Sequence, residues 1–417
     1  MRKPLALVAF ALFFTINACK KDANDEPNVS ISDPEALSAE ELQTLDNIPE
    51  ATDFNASTVI LPNGEILADY LDEVDRPFGE KWMTTETDAY NNLGPQDARN
   101  LMIARLAVVA LNLTNRSKHQ FEAEGDDKPA QNGLAYSWGS KDHTKRQVPP
   151  GEGATCKEAI YGLDASGFIF QLFAEAGVPI VKGPADKQRQ PDALQQALKS
   201  AISSLDKVKV EDLGAIPAKN FEAGDIIYWS NDNGVATHIG LVLKNKDGKL
   251  AVFQSHGAAS GDAEECAKNL SEKRGVRSLL LDDPYWFGQG KPYAITRINA
   301  EISGNWNLFL RCQGASTDAI TLTLEFPTLD DADFEVTGTG IDYDGKDLDV
   351  TAEMHYDNTT NVLSGTTYIM SPNASHFYRY DSFSVKLTRD NTSYFNMELG
   401  ENVDAGCAAQ GRLQNNE

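Results

Sequence analysis

The sequence has no excess of basic residues: 37 Lys and Arg stand against 62 Asp and Glu, for a formal net charge of -25 at pH 7. Phosphate backbones are held by clustered Lys and Arg, so this charge balance argues against nucleic acid as a partner. Solubility accounts for the acidity. Cysteine is also scarce, with 5 in 417 residues, and no CxxC pair or Cys/His cluster has zinc spacing. The acidic stretches "DDADFE" and "DYDGKD" lack EF-hand spacing and read as exposed turns. Neither a metal nor a cofactor is expected. The N-terminal apolar run "LALVAFALFFTI", Leu5 to Ile16, falls short of the roughly 20 residues a spanning helix needs. What is present is a composition of soluble globular domains, 41% hydrophobic and 24% charged, in a chain long enough for two of them.

The apolar run follows a basic head, Arg2 and Lys3, and ends in "INAC", with Ala18 before Cys19. A short basic head, a short apolar stretch and a small residue make a targeting segment rather than part of the fold. "INAC" resembles the lipobox of bacterial lipoproteins, with Ile16 where leucine is commoner. The resemblance implies a signal peptide over residues 1–18, lipidation of Cys19, and membrane contact through that anchor only. The next stretch, "KKDANDEPNVS", is polar and suits a tether. Its acidity is similar to signals that send some lipoproteins to the cell surface. The implied location is the cell envelope of a Gram-negative-type bacterium, at the outer membrane or surface. The tether is expected over 19–54, interrupted by one small helix where Ser38 and Glu41 form a capping-box pattern.

Export bears on the other cysteines, Cys156, Cys266, Cys312 and Cys407. An even number in an oxidising compartment suggests disulfides. Sequence order leaves the connectivity open. Pairing Cys156 with Cys266 and Cys312 with Cys407 is the economical choice, because each bridge then stays within one domain.

Residues 55–298 read as one domain with an N-terminal extension. The periodicity predicts helices over "GPQDARNLMIARLAVVALNLTN" and "PDALQQALKSAISSL". Strands are predicted at "AGDIIYW", "HIGLVLK", "LAVFQSH" and "YAITRI". From 299 to 417 the helical periods vanish. Short alternating runs such as "AITLTLEF", "DFEVTGTGI" and "VLSGTTYIM" predict an all-β barrel or sandwich. Its opening, "ISGNW", is similar to the start of lipocalin-like domains. Nothing in it names a partner.

The chemistry centres on "YGLDASGFIFQLFAEAGVPI", a tight turn feeding an amphipathic helix. Asp164 is an N-cap, Ser166 and Gly167 permit close packing, and Phe168, Leu172, Phe173 and Ala176 form a buried stripe ended by Gly177. Downstream, His238 opens the apolar strand "IGLVL". Gln254 and His256 follow on the next strand, on one face because strand side chains alternate. A helix N-terminus followed by a strand-borne histidine and a polar third group is the frame of a cysteine hydrolase. The helix end favours a thiolate, the imidazole moves the proton, and the third group orients the imidazole.

"YSWGS", "GLDASGF", "AGDIIYW" and "THIGLVL" occur in the order of the "YxWGG", "DCSGF", "GDLVFF" and "HVGIY" motifs of the NlpC-type cell-wall peptidases, which this chain resembles over residues 96–298. The resemblance implies a papain-like α+β fold, with helices packed on an antiparallel sheet, and a peptidoglycan peptide stem or another peptide as ligand. It places the nucleophile position at Ala165 and the base at His238. The third polar group falls at Gln254 or His256, and binding positions at Tyr136, Asp164 and Ser166. Two departures stand out: the twenty-five residues from Gly139 to Asp164, and Ala165 itself.

A methyl group cannot attack a carbonyl, so the covalent route is lost while a binding cleft can persist. Ser166 lies about 100° further around the helix, turned from His238, and Cys156 is better used in a disulfide. The expected function is an exported, catalytically inert peptidase-fold lipoprotein that binds a peptide or cell-wall fragment. The alternatives are an active γ-D-glutamyl-diaminopimelate hydrolase with an unorthodox nucleophile, or an engineered inactive form of such an enzyme.

Overall fold

The computed structural model describes most of residues 37–413. Residues 1–36 and 414–417, and internal stretches such as 75–81, 83–89, 122–130, 149–155, 202–207, 313–319 and 399–406, lie outside the described residues, Cys19 and the expected signal segment among them. The helices are α1 (Ala39–Leu45), α2 (Leu67–Tyr70), α3 (Pro95–Arg116), α4 (Ala165–Glu175), α5 (Ala185–Gln188), α6 (Pro191–Ala201), α7 (Ala263–Lys268) and α8 (Pro284–Gly288). Before residue 301 the strands are β1 (Val59–Ile60), β2 (Gln120–Phe121), β3 (Gln131–Asn132), β4 (Ala135–Tyr136), β5 (Gly162–Leu163) and β6 (Val208–Gly214). They continue with β7 (Ile226–Ser230), β8 (Ala236–Asn245), β9 (Leu250–His256), β10 (Gly275–Leu280) and β11 (Tyr293–Ala300).

Helices and an antiparallel sheet make up this α+β region. The sheet runs β10-β9-β8-β7-β11-β6, with β1 paired to β8. Alternation along the strands gives it two buried faces. Ile226 and Tyr228 of β7 and Ala251 and Phe253 of β9 join the core that α3 and α4 cover. Ile227, Trp229 and Val252 point the other way, into a second core with Leu45 and Ile48. Phe168, Leu172 and Phe173 of α4 are fully buried in the first core. Each such side chain contributes about 1.5–3 kcal/mol of transfer free energy.

The second core corrects one expectation. Residues 37–54, read from sequence as part of a tether, are packed structure. Ser38 caps α1 through the predicted box with Glu41. Leu42, Leu45, Ile48, Ala51 and Phe54 are all buried. The polar composition of this stretch hid these apolar residues, of which Leu45 and Ile48 enter the second core and Ala51 and Phe54 the first.

Beyond residue 301 the strands are β12 (Gly304–Cys312), β13 (Ile320–Phe326), β14 (Asp333–Ile341), β15 (Asp347–Asp357), β16 (Val362–Met370), β17 (Phe377–Lys386), β18 (Arg389–Asp390), β19 (Tyr394–Glu398) and β20 (Cys407–Leu413). They form an antiparallel sheet ordered β17-β16-β15-β14-β13-β12-β20-β19-β18, with a further pairing of Ser384 in β17 to Glu398 in β19. In the β12–β20 ladder Cys312 stands directly opposite Cys407.

Candidate functional site

The segment "YSWGS" reaches the entrance of α4 through a short parallel pairing of β4 with β5, in which Tyr136 is the partner of Leu163. Ser137 N–H donates to Leu163 O at 3.2 Å, and Asp164 N–H to Ser140 O at 3.4 Å. This pairing brings together two segments separated by the long insertion. Gly167 is required there: a Cβ at that position would lie 2.0 Å from Ser140 O. At the far end of α4, Gly177 adopts φ 83°, the left-handed conformation that ends helices cheaply in glycine.

Asp164 caps α4, its carboxylate accepting from Gly167 N–H at 2.5 Å. Ala165 is the first helical residue. Its side chain lines a small cleft together with Tyr136, Trp138, Asp164, Thr237 and His238; Leu37, Ser166 and Ala185 complete the wall. Helix start and histidine therefore share one cavity. Tyr136 and Trp138 are both buried and pack with Ala259 in a small cluster of their own.

His238 sits on β8 at 4% exposure, its ring stacked at 5.6 Å on Trp229. Its Nε2 lies 2.5 Å from Gln254 Oε1, and Gln254 Nε2 lies 2.8 Å from His256 Nδ1. His256 Nε2 in turn faces Asp46 Oδ1 at 3.5 Å, and Asp46 accepts from Arg274 through both carboxylate oxygens. Both third-group candidates are thus in one line, Gln254 touching the imidazole and His256 lying behind it. His256 is fully buried.

Burial, reinforced by His256, pushes His238 down to about 3 despite the bond to Gln254. His256 is lowered as well, chiefly by burial, although Asp46 opposes the shift. For Asp46, burial works against ionisation, but His256 and Arg274 outweigh it and hold the carboxyl below its ordinary range. Near neutral pH the imidazole in the cleft is uncharged.

Sequence reasoning did not identify Lys141. Its Nζ donates to both oxygens of Asp164, at 2.6 and 2.7 Å, and to Ser166 Oγ at 2.5 Å. Ser166 Oγ in turn reaches Asp164 Oδ1 at 3.2 Å. The serine oxygen accepts from a cation while its proton is directed to a carboxylate. The base within reach of this hydroxyl is thus the ion-paired Asp164 carboxylate, while the His238 ring is hydrogen-bonded to Gln254 instead. Cys156 lies 2.07 Å from Cys266, at disulfide distance, tying the insertion to α7. The side chains of Cys312 and Cys407 lie outside the described residues, as does Cys19. Among the described residues no group of His, Cys, Asp and Glu is placed to hold a metal ion, and no helix is long and apolar enough to cross a membrane.

A helix N-terminus facing a strand-borne imidazole with an amide behind it is the frame of a cysteine-hydrolase site. Residues 133–277, about one third of the chain, match the NlpC/P60 family. No curated protein matches the chain.

Proposed function

We propose that the protein is an exported lipoprotein whose NlpC/P60 domain does not hydrolyse but binds a peptide stem or another cell-wall fragment. The observation that carries this reading is Ala165 at the entrance of α4, lining the same cleft as His238. Covalent catalysis needs an attacking atom at that place, and a methyl group supplies none. Against the rival reading, a hydrolase working through Ser166, its hydroxyl bonds to Lys141 and Asp164 and not to His238. Titration of the purified chain with a peptidoglycan stem peptide tests the proposal. Saturable binding that His238→Ala weakens supports it, and no binding at millimolar peptide contradicts it.

In this reading Cys19 carries the lipid, and the chain from there to about residue 36 links the membrane to the folded part at the outer membrane or cell surface. Residues 299–417 then form an all-β barrel of lipocalin-like type. The Ser384–Glu398 pairing supports a closed ladder, since it returns the strand order upon itself. The register of Cys312 against Cys407 supports a second disulfide, because antiparallel partners have Cα atoms about 4.5–5.5 Å apart, within the range a bridge spans. Both bridges accord with an oxidising compartment.

A further inference from the structure

The line from His238 to Asp46 has only one satisfactory arrangement of its protons. Asp46, ionised and gripped by Arg274, stands 3.5 Å from His256 Nε2, an ion-pair distance without a formed hydrogen bond; a lone pair on that nitrogen would face the carboxylate, so the nitrogen carries the hydrogen. A neutral imidazole has a single N–H, which leaves His256 Nδ1 bare and able only to accept. Gln254 must then turn its NH₂ toward His256 and its carbonyl oxygen toward His238. That oxygen accepts, so His238 carries its hydrogen on Nε2 and keeps Nδ1 as a bare acceptor.

The reverse arrangement has a specific cost. Flipping the Gln254 amide would put N–H against His238 Nε2, move the His238 proton to Nδ1, and require His256 to protonate Nδ1. A neutral His256 would then present a lone pair to the Asp46 carboxylate. Protonating both of its nitrogens is opposed chiefly by its burial, helped by Arg277 and Arg274, which together outweigh the attraction of Asp46.

We infer that Asp46 and His256 are positioning residues that set the tautomer of His238 through the Gln254 amide. Gln254 and His256 lie on the sheet face that the N-terminal extension covers, since they follow Val252 in the strand alternation. Asp46 stands at the C-cap of α1, outside the segment that matches the family. The extension is therefore part of the site: it supplies the charge at the end of the line, and Leu37 of the same extension lines the cleft. This rests on reading His238 as the base position. The tautomer, however, is measured in the free protein and holds or fails whether or not any peptide binds.

The test is ¹⁵N NMR of the histidine side chains in the intact chain at pH 7, with assignment by His238→Gln. The inference expects one dominant His238 tautomer, protonated at Nε2, by about tenfold or more over the other. In His256→Phe and in Asp46→Ala the amide loses its directing partner, and His238 becomes a mixture of the two tautomers. The Asp46 variant alters a half-buried side chain and serves if the core substitution does not fold. A His238 proton found on Nδ1 in the natural chain would overturn the inference. So would an unchanged tautomer in a folded Asp46→Ala protein.

Discussion

Lys141 donates to Ser166 Oγ at 2.5 Å while its ammonium also spans both oxygens of Asp164. Three groups around the start of α4 therefore neutralise one another, and the pair is almost entirely shielded from water. Removing one partner of a buried pair leaves the other charge uncompensated. Lys141→Met is expected to lower stability by about 2–4 kcal/mol in urea denaturation. Ser166→Ala, which removes a neutral hydroxyl that accepts from Lys141 and donates to Asp164, should cost about 1 kcal/mol.

The two buried histidines predict how stability depends on pH. In the unfolded chain each takes a proton near 6.5, whereas the folded chain holds His238 down to about 3 and lowers His256 too. A depressed folded pKa gives stability that is fully present above 6.5 and lost as pH falls. Between pH 6.5 and 4.5 the unfolding free energy should drop by up to about 1.4 kcal/mol per pH unit for each histidine. Thermal denaturation across that range, compared with His256→Phe, checks it: the variant should show a shallower slope.

The bridge between Cys156 and Cys266 closes a loop with a sequence separation of 110. Chain entropy alone gives such a loop about 3–5 kcal/mol of stabilisation. The Cys156→Ser, Cys266→Ser double variant should lose that amount in urea denaturation. The natural chain should behave like the variant once reduced.

Much of this site is legible in the sequence because its parts are local. The N-cap Asp164, the stripe of Phe168, Leu172 and Phe173, and the alternation that puts Gln254 beside His256 all lie within single elements. The proximity of Ala165 to His238 follows only from the order of motifs, and the shared cleft agrees with it. Asp46 and Lys141 are different. Asp46 precedes Gln254 by more than two hundred residues, and a helix C-cap has no pattern that announces a contact of that kind. Lys141 lies in an irregular stretch where neither periodicity nor turn chemistry directs a side chain. In the second half of the chain, β20 escapes notice for a simpler reason: "CAAQGRL" has small and polar residues where an alternating strand would show β-branched ones.

Lipidation at Cys19 has its own test. Mass spectrometry of the protein from membranes should find a mature chain beginning at residue 19 and carrying acyl groups. Cys19→Ser should remove the acyl groups, which the same measurement reads.

On the proposed function one missing sulfur separates this cleft from a working peptidase, and digestion of a stem peptide by the chain with Ala165 and by Ala165→Cys checks this. The account predicts no cleavage by the natural chain and a gain of about 10³-fold or more over background in the cysteine variant, abolished by His238→Ala. Cleavage by the natural chain that survives in a folded protein with Ala165 in place, and disappears in Ser166→Ala, would contradict it.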